Sequence, residues 1–190
     1  NWNSKIQYQQ YSPHFQITLG FFIQNSIRTL EGAHEYQHFY DPDDFIKQLW
    51  VFASSKIQFN YANLRKYLDL GTGLYIQLSG NIQSNFGYNY IVNEEFEGFN
   101  AQGMHDFELF ISFNPTEKVR LGMFTNFGES LRYDADAPAV GNNFFMGTFN
   151  DFQFTPKFRY SPTFRYSQLK NKTTGDLYFS VFIARANLNY

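Results

Sequence analysis

His34 and His38 stand four residues apart, a spacing that on a helix would set two imidazoles one above the other as a metal pair. On a strand the same two side chains lie roughly 13 Å apart, and the pair then reads as pore or interface histidines. Asp41, Asp43 and Asp44 in "DPDD", and Asp134 with Asp136 in "YDADAP", offer hard oxygen ligands of the kind that hold Ca²⁺. Neither run has the fixed spacing of a calcium loop, so both read first as solvated turns. Serine and histidine occur without a nucleophile elbow or triad spacing. The run Asn93 to Glu97, "NEEFE", is a solvated loop base in one reading and a cation-attracting pore mouth in the other. No catalytic constellation emerges, and the chain is read as non-enzymatic, with no cofactor and no metal.

The elements that carry these residues alternate. In "GLYIQLSGNIQSNFGYNYIV" (73 to 92), Leu74, Ile76, Leu78, Ile82, Phe86, Tyr88, Tyr90 and Val92 share one parity. Tyr75, Gln77, Ser79, Asn81, Gln83, Asn85 and Asn89 share the other. A strand points successive side chains to opposite faces, so the segment has one apolar and one wet face. Similar pieces cover 2–10, 15–24, about 28–40, 45–61, 105–113, 119–127, 143–155, 158–167 and 177–190, with turn signals between them. Ser79-Gly80-Asn81 reads as a three-residue hairpin loop, and "NLRKYLDL" (63–70) as a loop or a single helical turn. The count is about eleven strands. Tight turns ("SGN", "NPTEK", "YSPT") alternate with longer polar connections at 93–103, 128–142 and 168–176, which places the long loops at one end of a meander.

Composition sets the outer bounds. The 190 residues include 24 Phe and 14 Tyr, no Cys, and a net charge of -2, enough for one sizeable domain. Near-neutral charge without a basic run argues against nucleic acid. No apolar run approaches the roughly 18 residues of a membrane helix, and no signal peptide is visible at "NWNSKIQYQQ".

Whether the apolar face meets a protein core or lipid is decided by how its residues are sorted. In "FELFISF", Phe107 and Phe113 bracket Leu109 and Ile111. Aromatics belong at the two water–lipid boundaries of a barrel wall, and a soluble core has no reason to place them so. The piece 45–61 is also far longer than the roughly 5–6 residues of an ordinary strand. Pairing around "NPTEK" sets Phe113 opposite Val119, Ile111 opposite Leu121 and Leu109 opposite Met123, with Ser112 facing Arg120, Phe110 covering Gly122, and Glu108 facing Phe124. The fold expected is therefore all-β, an antiparallel up-and-down transmembrane β-barrel, or a large part of one, with roughly 10–12 strands in a single domain spanning 1–190. Leu74, Ile76, Leu78, Leu109, Ile111, Leu121 and Met123 are expected to face lipid. Gln77, Gln83, Glu108, Ser112 and Arg120 are expected to face the lumen, with Phe110 and Phe124. On that reading Ile111→Lys is costly and Ser112→Lys much less so.

The string "YSPHFQITLGFF" followed by "IRTLEG" resembles a segment of outer-membrane proteins, mostly from Bacteroidota, that carry an N-terminal family 9 carbohydrate-binding-like module and a C-terminal barrel. Ser12, Pro13, Phe15, Leu19, Gly20, Phe21, Arg28 and Leu30 fit the pattern, while Thr18 stands at its acidic position. "GLYIQLSGN", "NFGYNY", "EEFEGF" and "IARANLNY" are similar to further landmarks of the same barrel domain. The resemblance implies a bacterial outer-membrane location and a part in glycan handling. It implies as partners membrane lipid, the barrel-assembly machinery during biogenesis, and other outer-membrane or periplasmic proteins. The sugar-binding-like module itself is absent, so no carbohydrate site carries over.

The leading expectation is a membrane anchor or passage for an attached module. The alternatives are a soluble β-barrel or sandwich that binds a ligand inside, and a barrel enzyme such as a lipase. The repeated "FRYS" at 158 and 164 predicts an abbreviated strand. An odd strand count, strand-like alternation from Trp2 onward and a close on "ANLNY" predict a piece of a larger barrel. In the rival reading, Phe182, Ala184, Ala186, Leu188 and Tyr190 form a genuine aromatic-ended last strand.

Overall fold

Period-two alternation over most of the chain leaves no stretch with helical spacing, and the computed structural model, which describes residues 1–11 and 27–190, contains strands and turns only. The strands are β1 (Trp2–Gln10), β2 (Ile27–Phe39), β3 (Ile46–Asn60), β4 (Arg65–Leu78), β5 (Ile82–Phe96), β6 (Phe99–Thr116), β7 (Val119–Arg132), β8 (Ala139–Gln153), β9 (Arg159–Asn171) and β10 (Leu177–Asn189). Each pairs antiparallel with its neighbour in sequence, giving one ten-stranded up-and-down sheet in which β1 and β10 are the outermost strands. The strand expected at 15–24, and with it much of the Ser-Pro-x-Phe string, lies outside the described residues.

Several expectations need correction. Residues 65–70 form the first part of β4 rather than a loop or helical turn, because Leu68 and Leu70 continue the parity of Leu74. The "YSPT" turn is absent: Pro162 lies inside an unbroken, thirteen-residue β9. Proline has no N–H to donate, and the β8–β9 ladder is interrupted there, passing from Phe149↔Thr163 to Phe152↔Tyr160. The turn falls instead at 154–158, so β9 is not abbreviated. The supposed long loop at 93–103 is mostly strand, closed by a two-residue turn in which Glu97 and Gly98 both take positive φ (48° and 80°). Its connection joins the 133–138 and 172–176 connections at one end of the sheet, as the order of strands requires.

Around "NPTEK" the register differs by two residues from the expected one. Phe113 lies opposite Leu121, Ile111 opposite Met123, Leu109 opposite Thr125, Ser112 opposite Gly122, Phe110 opposite Phe124 and Glu108 opposite Asn126. A register shift between Phe113 and Thr116 lets both strands run on to a tight turn at Glu117-Lys118. A shift of two moves every partner but no side chain to the other face.

The sheet is a single layer. Among the described residues only four hydrophobic ones are buried: Ala101, Met104, Leu131 and Leu169. The first three pack with Ile91, Phe96, Phe99 and Val140 into a small core at the 97–98 end. The chain exposes 12,637 Å², against roughly 9,400 Å² expected for a soluble monomer of this mass. One face is nevertheless crowded. Phe110 of β6 and Phe149 of β8 stack at 5.7 Å across the intervening β7, over Gly122. A Cβ at Gly122 would stand 2.0 Å from the Phe149 ring, and one at Gly147 would stand 2.3 Å from Phe124. Contacts that skip a strand require the sheet to bend toward that side, so this face is the concave one. The aromatic cover expected over Gly122 is real, but it comes from Phe149, its direct β8 partner.

Gly122→Ala should therefore cost about 1–3 kcal/mol, the range for overpacking a tight contact. Gly87→Ala, whose Cβ would meet Glu108 at an ordinary 3.6 Å, should be neutral or gain up to about 1 kcal/mol. Urea unfolding of the two variants in the same detergent or buffer gives both values.

Candidate functional site

Following the register from strand to strand sorts the side chains into two faces. The row Trp2–Tyr36–Val51–Leu74–Phe86–Leu109–Thr125–Met146–Tyr166–Phe182 runs unbroken across all ten strands. The row one step toward the 79–81 turn holds Leu49, Ile76, Ser84, Ile111, Met123, Thr148, Phe164 and Ala184. The row one step the other way holds Ala53, Thr72, Tyr88, Phe107, Phe127, Phe144, Gln168 and Ser180. None of these three rows contains Asp, Glu, Lys or Arg. Leu74, Ile76, Leu78, Leu109, Ile111, Leu121 and Met123 all lie on this apolar, convex face.

Aromatics bracket its aliphatic middle. Phe107 stacks on Phe127 at 5.2 Å and lies 4.9 Å from Tyr88, while Tyr88 Oη meets His105 Nδ1 at 2.7 Å. At the other margin Phe152 neighbours Tyr160 at 6.3 Å and Phe154 at 6.3 Å. His34 and His38 belong to this face too, among aromatic neighbours. His34 stacks on Trp2 at 5.0 Å and contacts Ser4 Oγ at 2.7 Å; His38 meets Tyr40 edge-on at 4.4 Å.

The concave face carries the charge. Gln77, Gln83, Glu108, Ser112 and Arg120 all lie on it, together with groups whose role shows only when strands are paired. Glu31, Lys56 and Asp69 form one cross-strand row. Lys56 Nζ lies 3.5 Å from Glu31, and the Tyr67 hydroxyl donates to Asp69 Oδ2 at 2.9 Å. Glu31, Lys56 and Asp69, with Lys5, Gln7 and Ser54, line a cavity of about 300 Å³. Across β6 to β8, Asn143 Nδ2 donates to Asn126 Oδ1 at 2.6 Å, and Asn126 Nδ2 to Asp106 Oδ2 at 2.7 Å. This amide–carboxylate ladder crosses three strands. Near the 154–158 turn Asp151 accepts from Arg159 through both carboxylate oxygens and from Ser161 Oγ at 3.0 Å. Bidentate pairing of this kind fixes orientation as well as charge.

Ser112 shares the wet face but is only 2% exposed, enclosed beside Gly122 and Gln83. A lysine does not fit there, so the expectation of a tolerant Ser112 is corrected; Glu108, which is exposed, is the tolerant position. The acidic turns are also structural in use. Asp44 accepts from the Asp41 N–H at 3.2 Å, Asp134 accepts from the Asp136 N–H at 3.2 Å, and Arg132 pairs with Asp134. "NEEFE" is not a solvated loop base: Asn93 is buried, Glu94 accepts from the Tyr133 hydroxyl at 2.5 Å, and Glu95 pairs with Lys66. Among the described residues, no group of three His, Asp or Glu is placed to hold a metal ion.

The sequence reading missed the Glu31–Lys56–Asp69 row and the asparagine ladder. Their signal was parity: each sits one position off an apolar residue of the convex face. No family model, curated protein or solved structure matches this chain.

Proposed function

We propose that the chain forms the wall of a transmembrane β-barrel in the bacterial outer membrane and acts as an anchor or passage for an attached module, without catalysis of its own. The observation that carries this reading is the sorting of charge: the concave face holds the Glu31–Lys56 and Asp151–Arg159 pairs and the amide ladder, and the convex face holds three rows without a charged side chain. A soluble barrel has the opposite arrangement, apolar within and polar without, because its core must exclude water. A sandwich needs a second sheet, and this sheet has no second layer. An aliphatic band edged by aromatics is what lipid selects.

Strand length is in keeping. β2 to β10 have 13–18 residues, roughly 43–59 Å at 3.3 Å per residue. Crossing a band about 25 Å tall at about 45° takes roughly 35 Å. The overhang accounts for the paired, polar ends of the hairpins. Among the described residues the sheet has ten strands, and its outermost strands, β1 and β10, run antiparallel to each other. Lipid penalises unpaired strand edges by several kcal/mol per group. The resemblance to Bacteroidota barrels adds the outer-membrane location, membrane lipid and the barrel-assembly machinery as partners, and a part in glycan handling.

Ile111, on the convex face within the aliphatic band, is the test of the lipid assignment. Ile111→Lys should cost roughly 2–4 kcal/mol if it sits near the midplane, whereas Glu108→Lys, on the other face of the same strand, should cost well under half as much. Unfolding titrations in lipid vesicles read both, and equal costs would refute the assignment.

Sidedness has its own test. Protease added to intact cells should cut within 133–138 or 172–176 and spare the turns at 79–81 and 117–118. Cleavage at Gly80 or Glu117 from outside would reverse the orientation.

A further inference from the structure

One row of the concave face differs from those around it. Gln37, Trp50, Tyr75, Asn85, Phe110, Phe124, Gly147, Arg165 and Ile183 are cross-strand partners in succession. Four of the first six are aromatic, on a face that elsewhere is amide and charge. Phe52, Phe145 and Phe149 stand in the adjacent rows on the same side. Trp50 and Tyr75 meet edge-on at 6.2 Å; Phe124 lies 5.3 Å from Phe145 and 6.5 Å from Phe149, which stacks on Phe110.

The rings are held at this height by missing side chains. Phe149 occupies the space over Gly122, Phe124 that over Gly147, and Phe52 that over Gly73, where a Cβ would come within 2.3 Å of the ring in each case. Each ring reaches over its cross-strand glycine, an arrangement that fixes aromatic rings on a sheet surface. Arg120 lies 5.1 Å over the Phe149 ring and covers the group from the 117–118 end. Water-filled lumens have no use for such a cluster. Rings from β3, β4, β6 and β7 stand at one level, and β8 adds Phe145 and Phe149 from the rows on either side.

We propose that this aromatic collar closes the interior, so that the chain is a sealed anchor rather than an open passage. The charged cavity bounded by Lys5, Glu31, Lys56 and Asp69 is then a blind vestibule, open only toward the 97–98 end. Lys56 lies six residues from Trp50, about 20 Å along β3, on the far side of the collar from the 79–81 turn. The inference rests on the barrel reading above and narrows it.

The test is ion conductance in planar lipid bilayers, with folding followed separately by the gel mobility of boiled against unboiled protein. The wild type should insert, show heat-dependent mobility and give no steady conductance. Phe110→Ala/Phe124→Ala/Phe149→Ala should give discrete channel steps, and Phe86→Ala, on the convex face, should give none. If the triple variant does not fold, Trp50→Ala/Tyr75→Ala removes the collar from the opposite side and should open it likewise. Steady wild-type conductance, or folded collar variants that stay silent, would overturn the collar while leaving the barrel intact. Protein that neither inserts nor shows heat-dependent mobility would overturn the barrel reading and the collar with it.

Discussion

A sheet one layer thick has two faces and must find an acceptable surrounding for each. Among the described residues neither face is covered by a second sheet or a helix, and three of the four buried apolar residues gather at one end. Stability cannot come from a central core, because there is none. It must come from the ladder of backbone hydrogen bonds and from two surroundings that suit two different surfaces. The band of three rows without charge is stable only against something apolar. The charged one is stable only where its ions are paired or wet, since an isolated buried charge costs many kcal/mol. Everything else in the molecule follows from keeping those surfaces apart.

Register is what keeps them apart. A slip of one residue at any strand pair would carry Glu108, Asp106 or Lys56 onto the convex face and Ile111 or Leu109 onto the concave one. The structure holds register with devices on the concave side: rings over glycines at β7–β8 and β3–β4, the Asn126 ladder, and the Asp151–Arg159 fork. On the convex side the packed aromatics of β5 to β7 do the same at the margin. The bulges, as between Phe113 and Thr116, lie toward the strand ends, where a local shift does not disturb the charge sorting.

Much of this was legible in the sequence because strand periodicity is two and tolerates errors of two. The register around "NPTEK" was misjudged by two residues, yet Leu109, Ile111, Leu121 and Met123 kept one face and Glu108, Ser112 and Arg120 the other. What periodicity does not carry is depth. Ser112 reads as polar and hence tolerant, but it is buried because Gly122 beside it brings the Phe149 ring close. Nor does it carry cross-strand partners: Glu31, Lys56 and Asp69 are distant in sequence and become one row only when three strands are aligned. Pro162 predicts a turn because its local preference is strong, and pairing on both sides of β9 overrides it. The "NEEFE" run was read as loop for its charge, although Tyr133 and Lys66 supply the partners that let it remain strand.

The central claim is that the convex face meets lipid and the concave face does not. The chain contains no cysteine, so single cysteines at positions 107 to 111 can each carry a nitroxide label in protein reconstituted into bilayers. Collision with oxygen, which concentrates in lipid, and with a water-soluble nickel chelate reports the surroundings of each label. The account predicts that positions 107, 109 and 111 collide with oxygen and are shielded from nickel, while 108 and 110 lack that oxygen exposure. Accessibility to oxygen that is equal at odd and even positions, or high nickel collision at 109 and 111, would contradict it.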